Sequence, residues 1–287
     1  FPIRQLMSWL SLFSVLTAYF LLKKLPIGVR FRILFLIIVL IYWFYKKGRA
    51  RIKKNISLIL PDLDNKQIIQ GSMLVIKTIA RTWAAMLGSK YKNIEEIRKR
   101  VRVEGIETML SYYRSGKKII AVMDHVGPID EIIGLISLYS LRVYVPVEPI
   151  RPKWLLNLMM RLRLRFGDII FEPVERRKTL TRAAYYLSTG RIVVFAVDIT
   201  RENGSGVPCQ IGKAKATFPV GAIKLALEES SLIMPAFPSC DNKFQPRLVI
   251  GEPFKLIRTD DIKKDIEINT RRLIEEVYAP HIQENYY

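Results

Sequence analysis

The sequence predicts an α/β protein with a central mixed sheet flanked by helices and an N-terminal membrane helix. Three observations lead there. Beyond residue 100, short apolar runs alternate with stretches of helical periodicity, the pattern of a sheet covered by helices. Half of the 287 residues are apolar, enough for a sizeable core. Near the start, 17 successive residues carry no charge. The expected organisation is a membrane anchor at 1–30, an interfacial basic and apolar segment at 31–60, and one α/β domain at 61–287.

Taken in order, the first element is the uncharged run at 6–22 (LMSWLSLFSVLTAYFLL), flanked by Arg4 and by Lys23-Lys24. Its length is the lower limit for a spanning helix. A signal-peptide core fits less well, because no small-residue cleavage site follows. The second apolar run, 33–45 (ILFLIIVLIYWFY), has 13 residues, too few to cross upright. It is expected to lie in the interface, to pack on the domain or to be buried in its core. Lys and Arg on the flanks of both runs place the globular part on the cytoplasmic side. Residues 64–87 carry apolar side chains at helical spacing and meet Gly88, a natural C-cap. Strands are expected at 118–123, 141–147, 168–171, 191–197, 232–237 and 247–250, and helices at 131–140, 152–164, 176–188, 218–229 and 261–278. The strands read as continuous apolar runs, as strands buried on both faces do. Residues 201–208 (RENGSGVP) read as a mobile loop.

Charge narrows the partners. The chain has 46 Lys and Arg against 26 Asp and Glu. Eleven of the basic residues precede Asp62, the first acidic residue, which leaves only +9 for the remainder. Basic residues that bracket apolar runs fit an anionic bilayer surface. No nucleic acid is expected as partner, since aromatic and basic residues are not interleaved in any recognisable binding module. Cys209 and Cys240 form no CxxC pattern, so a reducing compartment is expected rather than a disulfide framework. With two histidines in all, a His-rich zinc site is not expected, nor is any cofactor, and the chain is expected to act as a monomer.

The chemistry-bearing stretch follows the strand at 118–123: Asp124-His125-Val126-Gly127-Pro128-Ile129-Asp130-Glu131. In open α/β sheets ligands gather at the carboxyl ends of strands, where this histidine falls. On one continuous helix His125 and Asp130 would stand about 140° apart and could not meet. Gly127 permits a turn and Pro128 suits the first position of a helix, so the carboxylate can fold back onto the imidazole. A carboxylate that fixes the tautomer and compensates the imidazolium lets a histidine take the proton of a hydroxyl. Glu131 is the alternative partner.

The block His125-Val126-Gly127-Pro128-Ile129-Asp130 resembles the His-x4-Asp/Glu motif of the glycerolipid and lysophospholipid acyltransferase superfamily. It is closest to the His-x-Gly-Asn-Trp-Glu form of lipid A late acyltransferases and mycobacterial phosphatidylinositol mannoside acyltransferases. Arg51 to Pro61, Val103-Glu104-Gly105, Arg191 to Asp198, Ile211 to Ala226 and Pro235 resemble further segments of that family in the same order, so the likeness covers residues 10–287. The chain departs from the pattern at Pro128-Ile129 and at Asp198-Ile199-Thr200-Arg201. The resemblance implies catalysis by His125 and Asp130, with a fatty acyl chain passing from a thioester of acyl carrier protein or coenzyme A to a hydroxyl of a lipid A precursor or related anionic glycolipid. The alternative acceptor is a lysophospholipid or a phosphatidylinositol mannoside, with acyl-CoA as donor. It also implies that Arg161 or Arg163 supports the oxyanion or binds a phosphate. Expected substrate contacts are Gly127, Arg176, Asp198, Thr200 and Arg201. Two rival readings are a hydrolase, which lacks a Gly-x-Ser-x-Gly motif, and a non-catalytic tethered binder of anionic lipid or nucleic acid.

Overall fold

The computed structural model describes residues 20–285 apart from 23, 89–94, 96–98, 100, 128, 133–137, 148, 150–152, 164–167, 201–204 and 242–244. The apolar run at 6–22 therefore lies outside the described residues but for its last three.

The second apolar run belongs to a longer helix than its composition announced, α1 (Ile27–Phe44), which starts directly after Pro26. Its 18 residues give about 27 Å at 1.5 Å per residue, close to the thickness of a bilayer's hydrocarbon core. Only 11% of it is buried, and the helix is longer than the 13-residue run, so by length and composition alone α1 is a candidate membrane span. Leu36, Ile37, Leu40, Ile41 and Phe44 are exposed, while Arg30 is turned inward. The basic helix α2 (Lys46–Ile59) follows, then α3 (Asn65–Gly88), against which α1 packs. α3 starts at a reciprocal cap: the Gln67 amide donates to Asp64 Oδ1 at 2.8 Å and the Asp64 amide to Gln67 Oε1 at 2.9 Å.

The domain is built on β1 (Arg102–Glu104), β2 (Ile119–Met123), β3 (Val143–Val147), β4 (Ile169–Pro173), β5 (Ile192–Ala196), β8 (Leu232–Cys240) and β9 (Pro246–Ile250), in the order β1-β9-β8-β2-β5-β3-β4. The strands from β8 to β4 in that order are mutually parallel, β9 runs antiparallel to β8, and β1 is parallel to β9, so the sheet is mixed as expected. Side chains alternate between two cores. Ile120, Val122, Tyr144 and Val193 face α7 (Thr179–Ser188), α8 (Gly221–Glu228) and the C-terminal helices. Ile119, Ala121, Val143 and Ile192 face the other way, toward α4 (Ile106–Arg114).

Between β2 and β3 stands the short α5 (Ile129–Ile132), and between β3 and β4 stands α6 (Lys153–Arg163). The expected loop at 201–208 gives way at its end to a hairpin of β6 (Val207–Ile211) and β7 (Ala214–Phe218), closed by Gly212-Lys213 with Gly212 at φ +59°. The C-terminal helix is longer than expected. α9 (Ile262–Arg272), capped by Asp261, continues through one wide π turn at Leu273–Tyr278 into α10 (Ala279–Glu284).

Candidate active site

β2 and β5 are neighbours in the sheet, and Met123 and Ala196 are their last paired residues. One step on, the Val197 amide donates to the Met123 carbonyl at 2.8 Å, so the two chains leave the sheet together. Two residues past that pairing, His125 and Asp198 meet. Asp198 Oδ1 lies 2.8 Å from His125 Nδ1, and Oδ2 accepts the His125 backbone N–H at 2.9 Å. An ionised carboxylate only accepts, so Nδ1 carries the proton and Nε2 is left as an acceptor. Holding backbone and ring of one residue with the two oxygens of one carboxylate also fixes the direction of the ring. The imidazole side chain remains 56% exposed.

The turn that presents His125 depends on Gly127. Its φ is +75°, and a Cβ there would come within 3.0 Å of the Ser239 backbone on β8. Only glycine relieves both constraints. Behind the turn, Asp124 is fully buried. Its Oδ1 accepts the Val126 N–H at 3.2 Å, and Oδ2 lies 3.6 Å from His281 Nε2 on α10. Burial, and secondly the charge of Asp198, push its carboxyl up to about 7.

His125 and Gly127 stand on the wall of a cavity of about 960 Å³. Its walls are overwhelmingly apolar: Ala121 and Met123 of β2, Val145 of β3 and Val194 of β5, opposed by Trp83 of α3 and Met159 of α6. This is the size and character of a site for a ligand with a long apolar part.

The structure brings His125, Gly127 and Asp198 together. Asp130 and Glu131 are carried by α5, directly after the turn, with side chains outside the described residues. The side chains of Arg163 and Arg176, and Arg201 as a whole, also lie outside them. Thr200 is exposed beside Asp198. Arg161 is exposed on α6, whose Leu156, Met159 and Met160 reach the cavity wall. Asp198, an expected substrate contact, holds the imidazole.

Residues 2–286 match the family of bacterial lipid A biosynthesis acyltransferases. The chain belongs to this family. No curated protein matches it. The family makes the protein an acyltransferase whose substrates are an acyl donor and a lipid acceptor, and α1 accords with association with a membrane. For a lipid A acyltransferase the sequence left three features unannounced. The contact of His125 with Asp198 spans 73 residues and depends on strand order, which no local pattern encodes. Asp124 stood beside His125 in plain view, but nothing marked it as buried. His281 is a lone histidine near the C-terminus and had no signal at all.

Proposed function

We propose that the protein transfers a fatty acyl chain from an acyl thioester, of acyl carrier protein or coenzyme A, to a hydroxyl of a lipid A precursor or related anionic glycolipid, with His125 as general base. The observation that carries this reading is a histidine whose Nδ1 is held by Asp198, standing on the wall of a 960 Å³ apolar cavity. Nε2 takes the proton of the acceptor hydroxyl as its oxygen attacks the thioester carbonyl. The C–S bond then breaks, and the imidazolium returns the proton to the departing thiolate. Asp198 compensates the transient positive charge. Asp130, on the helix that begins at the turn, is a second carboxylate for the same task, with Glu131 as its alternative. No acyl-enzyme is needed, and apolar walls keep water from the thioester.

Arg161, Arg163, Arg176, Thr200 and Arg201 are proposed to meet the phosphates of acceptor or donor. The globular domain faces the cytoplasm at the bacterial inner membrane in this reading. Purified protein offered acyl carrier protein and coenzyme A thioesters against a panel of lipid acceptors, with products identified by mass spectrometry, tests it. His125→Ala should abolish transfer and leave membrane association intact. Turnover retained in that variant rejects His125 as the base.

A further inference from the structure

Directly behind the β2–α5 turn lies a group that the proposed reaction does not use. Asp124 is inaccessible to solvent, and its Oδ2 makes no hydrogen bond to any described residue. A carboxyl in that condition is costly to bury, so its presence calls for an explanation. Beside it stands His281, whose side chain is 12% exposed and whose Nε2 lies 3.0 Å from the Pro238 carbonyl and 3.6 Å from Asp124 Oδ2. Asn285 lies 3.3 Å from His281 Nδ1 and can donate to it, so the ring sits neutral with its proton on Nε2. Burial lowers its affinity for a second proton. The groups that face this pair are His125 from the same turn, Asp198 from the end of β5, Tyr278 from the π turn and Glu284 from α10.

We propose that Asp124 and His281 form a buried positioning pair behind His125 that sets how strongly the catalytic imidazole holds a proton. The proposal rests on the reading of His125 as general base. Through Oδ1 and the Val126 amide, Asp124 also holds the backbone that carries His125. The sign of the electrostatic effect follows from the charges. Ionised Asp124 favours the imidazolium of His125 and raises its proton affinity, whereas protonated Asp124 does neither. Because its carboxyl is pushed up to about 7, the two forms exchange in the range where histidine itself titrates. His125 then titrates as one member of a coupled set and not as a single group.

His125 and His281 are the two histidines of the chain, so their imidazole signals are separable. The full chain, labelled with ¹⁵N-histidine and held in detergent micelles, is titrated from about pH 5 to about pH 9, the interval around the ordinary histidine value. The unsubstituted protein should give a His125 curve with two inflections. Asp124→Asn, which keeps an acceptor for the Val126 amide, should give one inflection at lower pH. A His125 curve that superimposes on that of the unsubstituted protein overturns the proposal. Should that variant not fold, His281→Gln, which retains a donor for the Pro238 carbonyl, reads the same coupling: a displaced His125 curve supports it and an unmoved one rejects it. The signal belongs to the ring and not to turnover, so its outcome is independent of acyl transfer by His125→Ala.

Discussion

At the scale of single residues, the site is a histidine whose two nitrogens have been given different work. Asp198 fixes the proton on Nδ1, and the proposed mechanism uses Nε2 as the base. Removing the charge while keeping the shape tests this. In Asp198→Asn the side-chain carbonyl still accepts one N–H, but the compensation of the imidazolium is gone, so kcat should fall by about a hundredfold or more with little change in KM. Steady-state kinetics with one thioester donor decides the matter, and a kcat within a few-fold of the unsubstituted protein would remove Asp198 from the mechanism. His125 was legible in the sequence because it follows an apolar strand and precedes Gly127. Its partner just past β5 was legible only as a residue, not as a partner. Nothing in the order of residues says that β2 and β5 lie side by side.

At the scale of elements, most strands could be read because each is a continuous apolar run buried between two layers of helices. The β6–β7 hairpin escaped, although Val207, Cys209 and Ile211 alternate inward with Pro208 and Gln210 outward. The preceding Arg-Glu-Asn-Gly-Ser-Gly and the proline in the run outweighed that period of two. α1 is longer than the apolar run because the helix starts after Pro26 and runs through Arg30 and Arg32. The turn between β2 and α5 is the element on which the site depends most. Gly127→Ala adds a Cβ at φ +75° and 3.0 Å from the Ser239 backbone, so the turn must move and carry His125 with it. The expected result is a loss of stability of about 1–3 kcal/mol, the scale of a strained backbone position, together with loss of most transfer activity. Thermal melting and product formation measured on the same preparation test both, and a variant unchanged in melting and in rate would show that the turn tolerates a side chain.

At the scale of the whole molecule, charge and apolar surface are segregated, and the fold ties them to the catalytic domain. α1 exposes Leu36, Leu40 and Phe44, and α2, joined to it at Tyr45, exposes Lys46, Lys47, Arg51 and Lys54. The far end of α2 is clamped from two sides, by the Lys213 amide of the hairpin on the Leu58 carbonyl at 2.6 Å and by Gln283 of α10 on the Ile59 carbonyl at 3.0 Å. Gly212 lets the hairpin approach so closely, since a Cβ there would stand 2.2 Å from the Ile59 carbonyl oxygen. A helix held in that way transmits its attraction for a surface to the orientation of the domain. The apolar helix and the basic helix should therefore separate experimentally. Basic side chains near an anionic surface contribute on the order of 1 kcal/mol each and are screened by salt. Replacing Lys46, Lys47, Arg51 and Lys54 together by Gln should weaken binding to vesicles containing anionic lipid by at least about tenfold at low salt. Binding to vesicles of neutral phosphatidylcholine, which depends on apolar surface, should change little. Flotation of both proteins with both vesicle types at two salt concentrations measures the difference. Equal loss from neutral and anionic vesicles would mean that α2 supports the fold and not the surface contact.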